Sequence, residues 1–155
     1  MAQVKTSIEV DVPVSTAYNQ WTQFEEFPKF MENVESVTQL DDTHLRWVAD
    51  IGGKREEWRA EITHQEPDSH IAWRSTQGKE NAGDIRFESL GPDRTRVDVV
   101  MTWEPEGIVE ATAEKLGRDS GAVKADLERF KELIESRGVE SGAWRGEVLG
   151  GERID

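Results

Sequence analysis

The sequence contains no cysteine, few positive charges and no long apolar run, and each absence removes a class of protein. Without cysteine, disulfides and thiolate metal sites are excluded. No apolar run approaches the roughly 20 residues that a membrane-spanning helix needs. The first ten residues, MAQVKTSIEV, also lack the basic start and apolar stretch of a signal peptide. The sequence therefore predicts a cytoplasmic protein with no integral membrane segment.

Acidic residues dominate the charge, with 32 aspartates and glutamates against 19 lysines and arginines, for a formal net charge of −13. Nucleic acid and anionic lipid are both held first by lysine and arginine, so this balance argues against either partner. Its simplest consequence is solubility. The 155 residues fit one domain, and a chain of this length can bury a sizeable core.

The clearest pattern present is alternation. Six stretches between Val34 and Trp103 alternate apolar and polar residues, and Lys5 to Asp11 adds an earlier one. Because side chains at i and i+2 share one face of a strand, the pattern predicts an antiparallel sheet of seven strands with one apolar face. Glycine, proline and aspartate turns separate the stretches. The apolar phase includes Trp47, Trp58, Trp73, Ser75, Phe87, Met101 and Trp103.

Three segments lack this alternation and predict helices. After the first strand, Ser15 is expected to cap one short helix. A second short helical turn is expected to hold Phe24, Phe27, Phe30 and Met31, and Pro28, which fits only near the start of a helix, keeps it short. From about Glu106 to Ser136, apolar and small residues recur at spacings of 4 and 3, which predicts a long helix that stops at Gly138 and lies on the apolar face of the sheet. The residues of this stripe are Val109, Ala113, Leu116, Ser120, Val123, Leu127, Phe130 and Ile134.

The middle of the long helix is rich in small residues, among them Gly117, Ser120 and Gly121. Each interior glycine costs about 1 kcal/mol of helix stability relative to alanine. These residues indicate either a kink or close helix–sheet contact, or else unfilled volume facing the sheet. Both interpretations stay open.

Five short segments carry a family resemblance: VPVS at 12–15, FPKFM at 27–31, WRA at 58–60, IAWRS at 71–75 and LERFK at 127–131. Together with the order of the elements, they resemble the START-like (SRPBCC) superfamily and, within it, the polyketide cyclase/dehydrase group. The resemblance implies an α+β helix-grip domain at residues 1–138, in which the seven-stranded antiparallel sheet wraps around the long C-terminal helix and two short helices follow strand 1. A tail at 139–155 follows the domain.

The resemblance also implies a cavity between sheet and helix for a lipid, an isoprenoid or a polyketide-like molecule. A tryptophan can bury about 150–250 Å², so several of them facing water would be very unfavourable; they face the helix, a ligand or both. As core residues alone they would need no ligand. The expected ligand-binding residues are Trp47, Trp58, Trp73, Ser75, Phe87, Met101, Trp103, Leu116, Gly117 and Ser120.

The sequence contains only a weak indication of catalytic chemistry. His44 and His70 fall on the polar face and His64 lies near a strand end, so no metal site and no cofactor are expected. Glu56 is the one catalytic candidate, since a desolvated carboxylate can act as a general base; a strand end bent toward water is the simpler explanation. Aromatase/cyclases of the family use an arginine inside the cavity, whereas alternation points Arg74 outward.

Three functions stay open at this stage. The leading one is binding or carriage of a small hydrophobic ligand, which makes an enzyme the less favoured alternative. The second is a polyketide cyclase/dehydratase that uses a cavity carboxylate, and the third is a protein-interaction module with a vestigial pocket. In the tail, Trp144 is expected to dock on its own domain or on a second copy in a homodimer. Ligand identity is left open.

Overall fold

One antiparallel sheet and one long helix form the framework of the chain, as described by a computed structural model. The structure describes residues 2–51, 53–78, 80–103 and 113–154, with side chains except those of residues 2, 51, 103 and 113–120. In chain order the elements are β1 (Ala2–Val10), α1 (Val14–Trp21), a 3-10 helix (Phe24–Lys29), β2 (Val34–Gln39), β3 (His44–Ile51), β4 (Lys54–Glu66), β5 (His70–Gly78), β6 (Asn81–Gly91), β7 (Arg94–Trp103), α2 (Ala113–Arg137), β8 (Val148–Leu149) and β9 (Glu152–Arg153).

The first seven strands lie in the order β1-β7-β6-β5-β4-β3-β2, and every neighbouring pair is antiparallel. Strands β2 to β7 thus form a meander of sequential hairpins, and β1 closes it by pairing with β7. The predicted α+β helix-grip architecture is confirmed, including the two short helices that follow the first strand.

The predicted strand count is wrong, because the described part of the chain contains nine strands rather than seven. The 13-residue β4 pairs with β3 only as far as Glu61, which leaves His64 and Gln65 free on that side to pair with the tail strand β8. Gly150 and Gly151, both at positive φ, turn the chain back into β9. The division into a domain at 1–138 and a tail at 139–155 stays a prediction.

Helix α1 begins two residues earlier than expected. Pro13, at φ −59° and ψ 152°, precedes the first helical residue, and its carbonyl accepts the hydrogen bond from Ala17 N–H at 3.1 Å. The proline ring fixes this φ, so the chain enters the helix without a capping side chain. The prediction that Ser15 caps the helix is therefore wrong, since Ser15 lies inside it.

The core lies between the inward face of the sheet, α1, the 3-10 helix and the C-terminal half of α2. Leu127, Phe130 and Ile134 of the predicted stripe are buried in the same cluster as the inward residues of the sheet. The helix ends at Arg137 and Gly138 follows at φ 71°, as predicted. The expected first turns of this helix, with Val109, lie outside the described residues.

Candidate functional site

Three of the predicted ligand-binding tryptophans come together on the inward face. Trp47 on β3 lies directly opposite Trp58 on β4, and their rings stack with centroids 5.7 Å apart and planes within 11°. Trp73 on β5 stacks on Trp47 at 5.5 Å. Cross-strand neighbours on one face of a sheet are close enough to produce such contacts. We call Trp73, Trp47 and Trp58 the indole row; Trp58 is its most exposed member, at 8%.

Ser75, Phe87 and Met101 also belong to the inward phase, but they have different surroundings. The Ser75 hydroxyl accepts a hydrogen bond from Asn81 N–H at 3.0 Å, across the β5–β6 hairpin. The Phe87 ring packs edge-on against Tyr18 at 5.4 Å, which makes it part of the core beneath α1. Met101 is partly buried and packs against the core. Among the predicted site residues whose side chains are described, the three tryptophans are the ones whose rings stack on one another.

Four predicted site residues are described by their backbone alone. Trp103 lies at the end of β7, and Leu116, Gly117 and Ser120 lie in the first half of α2. Their side chains lie outside the described part of the chain, so their place in a cavity stays a prediction. At the neighbouring Gly121, an added Cβ would meet no atom within 4 Å. Close helix–sheet contact therefore does not explain this glycine.

The 3-10 helix supplies aromatic side chains that the prediction of the site missed. Phe27 lies 5.6 Å from the Trp47 ring and 6.0 Å from the Trp73 ring, and Phe24 lies 6.1 Å from Trp73. Both phenylalanines are fully buried. Their spacing in the sequence indicated a short helix but not which surface it would cover. They close one end of the indole row with packed side chains.

Glu56, the catalytic candidate, lies on β4 in the inward phase opposite Ala49. Its side chain is 19% exposed, so it lies partly in water. Its Oε1 lies 3.4 Å from Nζ of Lys54. The carboxylate of Glu56 is thus engaged with Lys54 rather than unpaired. Its catalytic role stays a prediction.

The histidines and Arg74 lie away from the indole row. His64 and His70 stack at 5.1 Å, and Nε2 of His70 lies 3.0 Å from a carboxylate oxygen of Asp84. His64, Arg74 and Asp84 line an outer depression of about 230 Å³. His70 is 9% exposed, so its prediction as a solvated residue is wrong, whereas Arg74 is exposed as alternation predicts.

A family model described as polyketide cyclase / dehydrase and lipid transport matches residues 10–132. This match spans most of the described sheet and most of α2. The chain belongs to the polyketide cyclase/dehydrase and lipid transport family.

One relative and two solved structures are similar to this chain. An uncharacterized 17.2 kDa protein from Streptomyces lincolnensis is 49% identical over 150 residues, which cover 96% of this chain and all of that protein. A START superfamily protein from Mycobacterium smegmatis is similar in fold, with a TM-score of 0.70 and 18% identity over 88% of this chain and 97% of the other. An aromatase/cyclase from a Streptomyces species is also similar in fold, with a TM-score of 0.64 and 14% identity over 88% of this chain and 92% of the other.

In this family member the tail packs on its own domain. The backbone N–H of Trp144 donates to Oγ1 of Thr22 at 3.1 Å, and the partly buried Trp144 ring packs against the core. Arg145 donates to Oδ1 of Asn19 at 2.7 Å, forms an ion pair with Asp68 at 2.9 Å, and lies over the Tyr18 ring. The tail thereby covers the polar side of α1. A homodimer through the tail stays a prediction.

Two further kinds of site can be assessed over the described residues. Within them, no group of three or more His, Cys, Asp or Glu side chains is arranged to hold a metal ion. The helices of the described ranges include none that is long and apolar enough to cross a bilayer.

Proposed function

We propose that this protein binds and carries a small hydrophobic ligand between the inward face of the sheet and α2, without transforming it. The observation that carries the proposal is the indole row. Three stacked indoles form a broad apolar surface that ends at Trp58, the least buried of the three at 8% exposed. Burial of apolar ligand surface against aromatic rings contributes about 25 cal/mol per Å², and ligand sites are typically apolar with few polar groups.

Side-chain chemistry on the inward face supports carriage over catalysis. Glu56 and Lys54 form an ion pair with each other, and His64 lies on the outer face. Burial raises the pKa of Asp126 on α2, but its carboxylate accepts hydrogen bonds from Glu32 N–H and from Arg129. Asp126 thus fastens α2 to the segment before β2. General acid–base catalysis needs a free group within reach of the substrate.

Cyclisation or dehydration of a polyketide-like substrate is the second candidate function. The family description names this chemistry, and the similar fold from Streptomyces is an aromatase/cyclase. Turnover of an aromatic polyketide mimic that is lost in Glu56→Gln would favour this function. Turnover that is absent, or unchanged in Glu56→Gln, would favour carriage.

Native mass spectrometry tests carriage most directly. Protein purified from its own host should carry extra mass that organic solvent releases as a small apolar molecule. Trp58→Ala should reduce the occupied fraction, because it removes the outer ring of the row. Leu90→Ala is the matched control, since Leu90 is an exposed large apolar residue of β6 outside the row. Absence of retained mass, together with no binding of neutral apolar dyes, would refute the proposal.

A further inference from the structure

Two members of the indole row contain a buried hydrogen-bond donor that has no partner. Nε1 of Trp47 and Nε1 of Trp58 are both inaccessible to solvent, and neither meets an acceptor in the part of the chain that the structure describes. An indole N–H can only donate, and buried tryptophans usually satisfy it. A buried donor that is left unpaired is costly. Two adjacent ones therefore point to an acceptor that arrives with a ligand.

The sheet places the two rings that carry these donors side by side. Trp47 and Trp58 are register partners on β3 and β4, and their rings are parallel within 11°. A carbonyl oxygen has two lone pairs, so one carbonyl can accept from both indoles, or two oxygens on one ring system can each accept from one. Trp47 is stacked between Trp58 and Trp73, so the flat ring of Trp58 at the end of the row favours a planar ligand, because aromatic rings stack in offset, parallel arrangements.

Trp21 provides an internal comparison. Its Nε1 is also buried and unpartnered, but its ring is enclosed by Phe27, Phe30 and Phe130 at 5.2–5.4 Å. An N–H among aromatic rings can make weak contacts with their faces. The same unsatisfied donor thus occurs on α1, where aromatic rings surround it, and on the indole row, which carries the proposed site.

We propose that Trp47 and Trp58 are specificity-determining donors that select planar ring compounds bearing a carbonyl or phenolic oxygen over hydrocarbons and acyl chains. This inference rests on the proposed carrier function and specifies its ligand class. A ligand of this kind satisfies both indole donors while its ring covers the apolar surface. An acyl chain covers the surface but leaves both donors unpaired.

A pair of matched probes tests the preference: 2-methyl-1,4-naphthoquinone and 2-methylnaphthalene, which differ in two carbonyl oxygens. Each is titrated against the neutral dye Nile red, because a charged dye would respond to the net charge of −13. The quinone is a clean probe here, since the chain has no cysteine for it to modify. The quinone should bind about tenfold more tightly than the hydrocarbon, the usual worth of one to two neutral hydrogen bonds.

Phenylalanine variants assign the preference to its donors. Trp47→Phe and Trp58→Phe keep an aromatic ring but remove the N–H, so the ratio of the two dissociation constants should fall toward one. Trp21→Phe removes an equally unpartnered N–H outside the row and should keep the ratio of the unmodified protein. A ratio that is unchanged in both row variants, or that falls equally in Trp21→Phe, would overturn the assignment.

A measurement on the unmodified protein covers the case in which a variant fails to fold. The indole Hε1 resonances of Trp47 and Trp58 should move downfield and gain protection from solvent exchange with the quinone, but not with the hydrocarbon. If both probes displace Nile red equally and these resonances do not move, the donor inference fails and carriage stands. If neither probe nor Nile red binds, the carrier function itself fails.

Discussion

Gly83 occupies the one position on β6 where a side chain would collide with the indole row. It is the register partner of Trp73 on β5, and the Trp73 ring lies over it. A Cβ at position 83 would stand 2.6 Å from Cε2 and 2.8 Å from Cη2 of Trp73, with Cζ2 nearer still. Carbon atoms rest at about 3.5–4.0 Å. Gly83→Ala must therefore displace the Trp73 ring by about 1 Å.

The Trp73 ring has little room to move. Trp47 stacks on it at 5.5 Å, and Phe27 and Phe24 lie at 6.0 and 6.1 Å. Overpacking of this kind costs about 1–3 kcal/mol, and the smaller freedom of alanine in the unfolded chain returns about 0.4–1 kcal/mol. We expect Gly83→Ala to lower the free energy of unfolding by about 1–2 kcal/mol.

Gly91→Ala is the matched control, because Gly91 lies on the same strand and a Cβ there would meet nothing within 4 Å. It should leave stability unchanged or slightly raised. Urea unfolding followed by far-ultraviolet circular dichroism measures both variants without relying on Trp73 fluorescence, and unchanged slopes would show that the midpoints report stability. Equal midpoints for the two variants would refute the placement of Trp73 over Gly83.

Two further predictions concern the region beneath the tail. Tyr18 is the only tyrosine, and burial raises its pKa to about 12, so its phenolate absorbance should titrate near that pH in the folded protein and near 10 in urea. The stability that this shift contributes, up to about 2.7 kcal/mol, is complete below pH 10 and is lost as pH rises toward 12. Tyr18→Phe should abolish that loss. A phenol titration midpoint near pH 10 in the folded protein would contradict the burial. Arg145→Ala should cost about 1 kcal/mol and speed proteolysis of the tail, because it removes contacts to Asn19, Asp68 and Tyr18. Arg94→Ala, at an exposed ion pair with Glu9, should do neither; equal tail cleavage in both variants would count against the docked tail.

Alternation predicted the sheet well because it depends only on which face is buried. Trp47, Trp58 and Trp73 share a face at period two, and their contact follows from antiparallel pairing of β3, β4 and β5. The covering of that face by α2 followed in the same way from the spacing of Leu127, Phe130 and Ile134. Each of these inferences uses a repeat that is visible within one segment.

Features that depend on two distant segments were not visible. Strand β8 pairs with the part of β4 that extends beyond β3, and no local pattern in the sequence indicates that difference in length. A Gly-Gly pair between short segments is a hairpin signal that could have suggested β8 and β9. The irregular register between Ile62 and His64 was equally invisible. It shifts the inward–outward alternation of β4 and buries Gln65, although no residue type in the segment indicates a bulge.

The choice between carriage and cyclisation is set by side chains within this common fold, and register limits how they can change. The arginine that the resemblance to aromatase/cyclases singles out is Arg74 on β5, and it is exposed. Because successive side chains of a strand point to opposite faces, a shift of one residue that turned Arg74 inward would also turn Trp73 outward. Trp73 is 3% exposed and contacts Trp47 and Phe24. Exposing it would forfeit about 3–5 kcal/mol of core packing, so the indole row itself holds Arg74 on the outer face.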